Sequence, residues 1–231
     1  MFQICLKRKS NGGGIAMKIE NKSCADCGMA KCHMGDTNFT EFCPTGKMDP
    51  AFLEEIKQTY LNDEENLRLM QVSSDVEYEG YGNWPRVVEI AQFALRMGYK
   101  KIGLAACVGL LKEARVAAKV LRSYGLEVYG IGCKVGMIPK QAMGIPEEHN
   151  ATGMSICNPI MQAALLAEHG TEFNVVIGLC VGHDTVFYKY SKAPVTTLVC
   201  KDRVLGHNPV ACLYVADSFY ADKLFGDCDP E

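Results

Sequence analysis

Four short apolar runs in the second part of the chain each end in cysteine: KIGLAAC at 101–107, LEVYGIGC at 126–133, FNVVIGLC at 173–180 and VTTLVC at 195–200. Runs of this length, rich in branched apolar residues and bounded by turn formers, are strands of a buried sheet. Helical patterns accompany them. Leu110, Leu111, Ala114, Ala117, Ala118 and Leu121 form an apolar stripe that ends at Gly125. Further helices are expected over 84–97, before Gly98, and over 159–169. Asn208-Pro209 is placed to start a last helix running to about residue 224. Alternating strands and helices imply βαβ units with right-handed crossovers. The expected fold is therefore α/β, an open sandwich with a small, mostly parallel sheet and helices on both faces. The order of the strands is not legible at this level.

The first part of the chain has another character. Residues 18–49 are polar, short and cysteine-rich, and cannot bury enough apolar area to order themselves. Asp49 is a good N-cap and Pro50 a good first helical residue for a helix carrying Phe52, Leu53, Ile56 and Tyr60 on one face. A second helix is expected over 63–76, with Leu67, Leu69 and Met70 as its buried positions. The turn-rich YEGYGN at 78–83 marks a boundary. The expected organisation is a flexible tail at 1–17, a cysteine-rich metal-binding module with its helices at 18–80, and the α/β domain at 81–231. Lys7, Arg8 and Lys9 are followed by Gly12, Gly13 and Gly14, without the apolar stretch of a secretory signal. Met17 is an alternative start.

Charge and hydropathy exclude some partners. The net charge is -3 and the pI about 6.0, without a basic stripe, so no nucleic acid is expected. No apolar run approaches the roughly 20 residues of a membrane span. Twelve cysteines in 231 residues, with no signal peptide, point to thiolate chemistry in the cytoplasm and to an anaerobic source.

Cys24, Cys27, Cys32 and Cys43 follow the pattern Cys-x2-Cys-x4-Cys-x10-Cys-Pro. A Cys-x2-Cys pair puts two thiolates on one tight turn, and Gly28 frees the backbone around them. Four thiolates match a tetrahedral zinc or a four-iron cluster. Zinc sites usually present two tight knuckles, whereas Cys32 and Cys43 are spread out. A 4Fe–4S iron–sulfur cluster is the first reading and zinc the alternative. His33 reads as a neighbour of Cys32.

Cys107, Cys133 and Cys180 end three strands, each followed by a valine or lysine and then a glycine-containing turn, and Cys157 precedes Asn158-Pro159 and a helix. Ligands of open α/β sheets bind outside the carboxyl ends of the strands, so these four cysteines point to one region. They are candidates for a second cluster or metal site. The alternative is that cysteine is a small hydrophobe, commonly buried. Cys5, Cys200, Cys212 and Cys228 have no such context and read as structural.

His183-Asp184 follows Cys180 closely, which makes a cysteine nucleophile with a histidine base a further option. Lys201, Asp202 and Arg203 are either rim charges or a solvated loop, and His207 sits at a strand-to-helix turn. The glycines of 130–136 miss the dinucleotide fingerprint, and no Walker motif is present.

SCADCGMAKC, FCPT, GLAACVGLLKEA, GLCVGHD and KDRVLGHNP together carry a resemblance from about residue 23 to 214. The chain resembles a family of cysteine-rich proteins of unknown function, described as predicted metal-binding proteins and found mainly in anaerobic bacteria and archaea. The resemblance implies metal binding through Cys24, Cys27, Cys32 and Cys43, raises the standing of Cys107, Cys133 and Cys180, and supplies no reaction. The expected function is electron transfer or a reduction at a cluster, with a redox partner protein or a small-molecule substrate. A zinc-stabilised binding module and a thiol enzyme are the alternatives.

Overall fold

Residues 22–226 are described by the computed structural model; the expected tail at 1–17, Cys5 and Cys228 lie outside them. The chain divides into two compact units, residues 1–69 and 70–231, compared with the expected boundary after residue 80. In the first unit, single 3-10 turns at Cys24–Asp26 and Lys31–Met34 precede α1 (Pro44–Lys47) and α2 (Pro50–Leu61). Asp49 caps α2 by accepting from the Ala51 amide, and Pro50 opens it as its fixed φ favours. Phe52, Leu53, Ile56 and Tyr60 are exposed.

α3 (Glu64–Gly80) contains the division between the units. Its buried positions are Val72, Val76 and Gly80, while Met70 is exposed, so the burial expected at Met70 does not occur. α4 (Arg86–Met97) ends at Gly98 with φ 83°, where a residue lacking Cβ terminates a helix without strain.

The α/β body follows as β1 (Lys101–Ala106), α5 (Leu111–Ser123), β2 (Glu127–Gly132), α6 (Pro159–Glu168), β3 (Phe173–Ile177), α7 (His183–Tyr190) and β4 (Val195–Val199). All strand pairs are parallel and the order is β2-β1-β3-β4. The order therefore runs outward in both directions from β1 and β3, and that pair is the switch point of the sheet.

The strands alternate between two cores. Leu104 and Ala106 of β1, with Val175 and Ile177 of β3, pack with Ile90 and Ala94 of α4 and Ala114, Ala117 and Leu121 of α5. Ala105, Ile131 and Val176 point to the other face and pack with Ala163 and Leu166 of α6 and Phe187 of α7. The sandwich thus has helices on both faces, as the buried-strand patterns imply.

The expected last helix breaks into α8 (Val210–Leu213) and α9 (Ala221–Phe225), with turns between. Leu213, Tyr214 and Phe219 are exposed, so no buried stripe stabilises a continuous helix there. Among the described residues no helix is long and apolar enough to cross a membrane.

Candidate functional site

Parallel register sets the site. Ala106 pairs with Gly132 on one side and with Ile177 on the other, so the next residues, Cys107, Cys133 and Gly178, leave the sheet at one level. The Cys107 amide donates to Ile177 O at 3.0 Å, and the Cys133 amide donates to Ala106 O at 2.8 Å. Neighbouring parallel strands are about 4.8 Å apart, which brings the first two sulfurs within reach of each other.

Cys157 arrives from a long excursion between β2 and α6. The Asn158 amide donates to Cys133 O at 2.7 Å, tying the end of that excursion to the end of β2. Asn158 then caps α6 by accepting from the Met161 amide at 3.1 Å. A buried lysine holds the excursion itself: Lys140 donates through Nζ to Thr152 Oγ1 at 2.9 Å and to the His149 carbonyl. Lys134 donates to Ser155 O at 2.5 Å.

Cys180 lies beyond β3, in the turn that starts α7. Its carbonyl accepts from the amides of His183 and Asp184. Gly178 is required in this turn. Its φ is +62°, and a Cβ there would lie 1.9 Å from Cδ1 of the buried Leu110.

The side chains form an ordered series of contacts. Cys133, 1% exposed, lies beside both Cys107 and Cys157, and its sulfur accepts from the Val108 amide at 3.4 Å. Cys157 also contacts His183, and His183 contacts Cys180. Arg203 Nη2 donates to Cys180 Sγ at 3.0 Å, and Lys201 lies beside Cys107. Nδ1 of His183 is buried and has no hydrogen-bond partner among the described residues.

The electrostatics follow from this order. The Cys133 thiol holds Cys107 down at about 5, helped by the Gly109 amide and Lys201, against the opposing effect of burial. Cys157 is lowered to about 4, by Cys133 first and His183 second. Cys133 is pushed far up, because its proton is shared with two thiolate neighbours and it is buried. His183 is pushed up to about 9, chiefly by its contact with Cys157, while burial opposes. Cys107, Cys157 and His183 are thus biased toward their charged forms and Cys133 toward its protonated form.

None of the ten described cysteines is in a disulfide. The expected N-terminal ligands differ from the strand-end group in setting. Cys24 and Cys32 are exposed and Cys27 and Cys43 half-buried, and His33 Nδ1 is engaged with Ala30 O at 2.7 Å. Cys43 is the N-cap of α1, and the Gly46 amide, with that of Thr45, lowers its thiol pKa. Among the described residues no group of three or more His, Cys, Asp or Glu side chains stands in an arrangement ready to hold a metal ion. The strand-end sulfurs are thus a chain of neighbours rather than a closed cage. Cys200 is exposed, and Cys212 donates to Pro209 O.

Two basic groups of the site, Lys201 and Arg203, come from a segment that also reads as an ordinary charged loop. Their position directly after β4, at the same carboxyl edge as the cysteines, is the signal that places them here. Lys134, another charge near Cys157, follows Cys133 directly. A cavity of about 430 Å³ between α5 and β2, lined by residues including Arg115, Lys119 and Gly130, contains none of the cysteines.

The chain is 42% identical over 189 residues to an uncharacterized protein of Methanocaldococcus jannaschii, a match covering 80% of this chain and 94% of that one. The family described as "Protein of unknown function (DUF1847)" matches residues 43–198, a span that includes Cys43, Cys107, Cys133, Cys157 and Cys180 and stops short of Lys201. The chain belongs to the DUF1847 family.

Proposed function

We propose that the protein is an iron–sulfur protein whose strand-end cysteines hold a redox-active cluster, and that it acts in electron transfer or in the reduction of a small molecule. The observation that carries this reading is the convergence of Cys107, Cys133 and Cys157 at the carboxyl edge of the sheet, where their surroundings shift Cys107 and Cys157 toward the thiolate. Thiolate is the form that binds soft metal centres.

The donors are of the chemical type such a group takes, although the described side chains do not stand in a ligating arrangement. The sulfurs come from three separate chain segments anchored by backbone hydrogen bonds, with His183 beside them carrying an unsatisfied buried nitrogen. Binding requires the side chains to turn from one another toward a shared centre, since they contact in series as they stand. When bound, the cluster supplies one-electron redox chemistry. The chain's own residues do the rest. Lys201, Arg203 and Lys134 offset the thiolate charge. Leu110 and the packed strand ends limit access of water.

Cys24, Cys27, Cys32 and Cys43 are proposed to hold a second centre, a 4Fe–4S cluster with zinc as the alternative. The support is their number and spacing in a segment where these four residues have little or no burial to order them. A second reading, a thiol enzyme, is favoured by one observation: the contact of Cys157 with His183, a nucleophile–base arrangement.

The test is purification without oxygen, followed by a visible spectrum and assays of iron, acid-labile sulfide and zinc. A brown protein that bleaches on reduction, with iron and sulfide in equal amounts, supports the cluster. A colourless protein with about one zinc supports the binding module. A metal-free protein in which only Cys157 is rapidly alkylated supports the thiol enzyme.

A further inference from the structure

β2 is an edge strand, and it lacks a side chain where one would reach α5. Val128 packs on the α5 face of the sheet, and strand residues two apart share a face, so Gly130 lies on that face too. It pairs with Leu104 of β1, whose side chain belongs to the same core. Nothing in the backbone requires glycine there. Gly130 sits in a regular strand and is not one of the glycines with positive φ. A Cβ on it would meet only Leu104 Cβ at 3.6 Å and Leu104 O at 3.9 Å, which are ordinary contacts. A valine would fit and would strengthen the strand. The glycine instead leaves open the cavity of about 430 Å³ between α5 and β2, a volume in the range of small-molecule sites.

The walls are apolar and the rim is cationic. Leu104, Ala106, Ala114, Ala118 and Val128 line the cavity, and no acid does. Arg115, Lys119 and Arg122, all exposed, stand along one side of α5 at i, i+4 and i+7. Arg122 is held in place, donating through Nη2 to Val128 O at 2.9 Å. Arg115 and Lys119 have no hydrogen-bond or ion-pair partner among the described residues. One helical turn apart, they can bracket a single anionic head group.

We propose that this cavity binds an amphipathic anion, an apolar chain or ring carrying one carboxylate or phosphate. The apolar body lies over Gly130 against Leu104 and Ala118, where it leaves water. The head group stays at the rim between Arg115 and Lys119, whose unanswered charge selects an anion. The cavity contains none of the cysteines, and this inference does not rest on the iron–sulfur reading.

The experiment titrates full-length protein, purified without oxygen, with octanoate, octyl phosphate, octanol and octylammonium, followed by calorimetry. Both anions are expected to bind, octanol to bind about tenfold more weakly than either, and octylammonium not to bind. Arg115→Met and Lys119→Met keep an apolar stem and remove one charge. Each is expected to weaken octanoate about fivefold and to leave octanol unchanged. Gly130→Val fills the cavity and is expected to abolish binding of both anions, with a urea midpoint equal to or above that of wild type. Octanol binding as tightly as the anions, or anion binding that survives Gly130→Val, overturns the proposal. So does the absence of heat with either anion at about 5 mM. Should Gly130→Val fail to fold, the double variant Arg115→Met/Lys119→Met decides, and an octanoate affinity equal to that of wild type overturns the proposal.

Discussion

Gln162, fully buried on α6, donates through Nε2 to Ile131 O at 2.7 Å and to Ala106 O at 3.3 Å. One side chain thus braces the ends of β1 and β2 directly beneath Cys107 and Cys133. Replacing it with leucine keeps similar bulk but removes this donor from Ile131 O, while Ala106 O retains the Cys133 amide. Gln162→Leu is expected to lower the unfolding free energy by about 2 kcal/mol, read from urea denaturation. It should also loosen the geometry of both cysteines. Unchanged stability would mean that these carbonyls find water or another donor.

Gly178 faces two constraints at once, a left-handed φ and the nearness of Leu110. Gly178→Ala is expected to cost about 3 kcal/mol, part backbone strain and part overpacking. In a double-mutant cycle with Leu110→Ala the overpacking part should disappear and the strain should remain. Strict additivity of the two substitutions would show that Leu110 moves aside freely.

Glu172 accepts from the amides of Lys100 and Lys101 at 2.6 and 2.9 Å, at the start of β1. These two amides are the first causes of its lowered pKa. A carboxylate whose folded pKa lies below its unfolded value contributes stability above the unfolded value and loses it as pH falls through the folded one. Because the residue is exposed, the contribution is discounted to about 1 kcal/mol at pH 7. The stability difference between wild type and Glu172→Gln should therefore be present at neutral pH and vanish in acid. A difference that persists once the folded carboxylate is protonated would contradict this account.

Much of the fold is legible in the amino-acid sequence because local and tertiary signals agree. The stripe from Leu110 to Leu121 buries Ala114, Ala117, Ala118 and Leu121, and the apolar runs at 101–107 and 173–180 become β1 and β3. Strand order is not legible, since it depends on which way each crossover turns. α7 is hidden because it is short and polar at its start, with Phe187 as its one fully buried anchor. The last helix is over-read: Asn208-Pro209 is a genuine turn signal, but no core lies opposite the residues after it. Within the site, strand ends locate the cysteines, whereas the pairing of Cys133 with Cys157 needs the excursion after β2 to fold back. Arg203 is invisible in advance because a charged residue after a strand looks like any solvated loop.

Metal removal separates the two proposed centres. In the first unit Cys24 and Cys32 are exposed, so order around them should depend on the centre proposed for them. Stripping metal with a chelator under reducing conditions is expected to raise amide exchange over 22–48 sharply. Amides of β1 and β3, buried in the α/β core, should keep their protection. Equal protection of 22–48 before and after stripping would refute a metal-ordered segment.

The central claim is most directly tested by the difference in iron and acid-labile sulfide per chain between the wild-type protein and Cys133→Ser, both prepared without oxygen. Cys133 is the buried sulfur that joins the other two. The account predicts a loss of about four irons and four sulfides on this substitution, with the sheet still folded. Equal iron in the two proteins, or none in either, would contradict it.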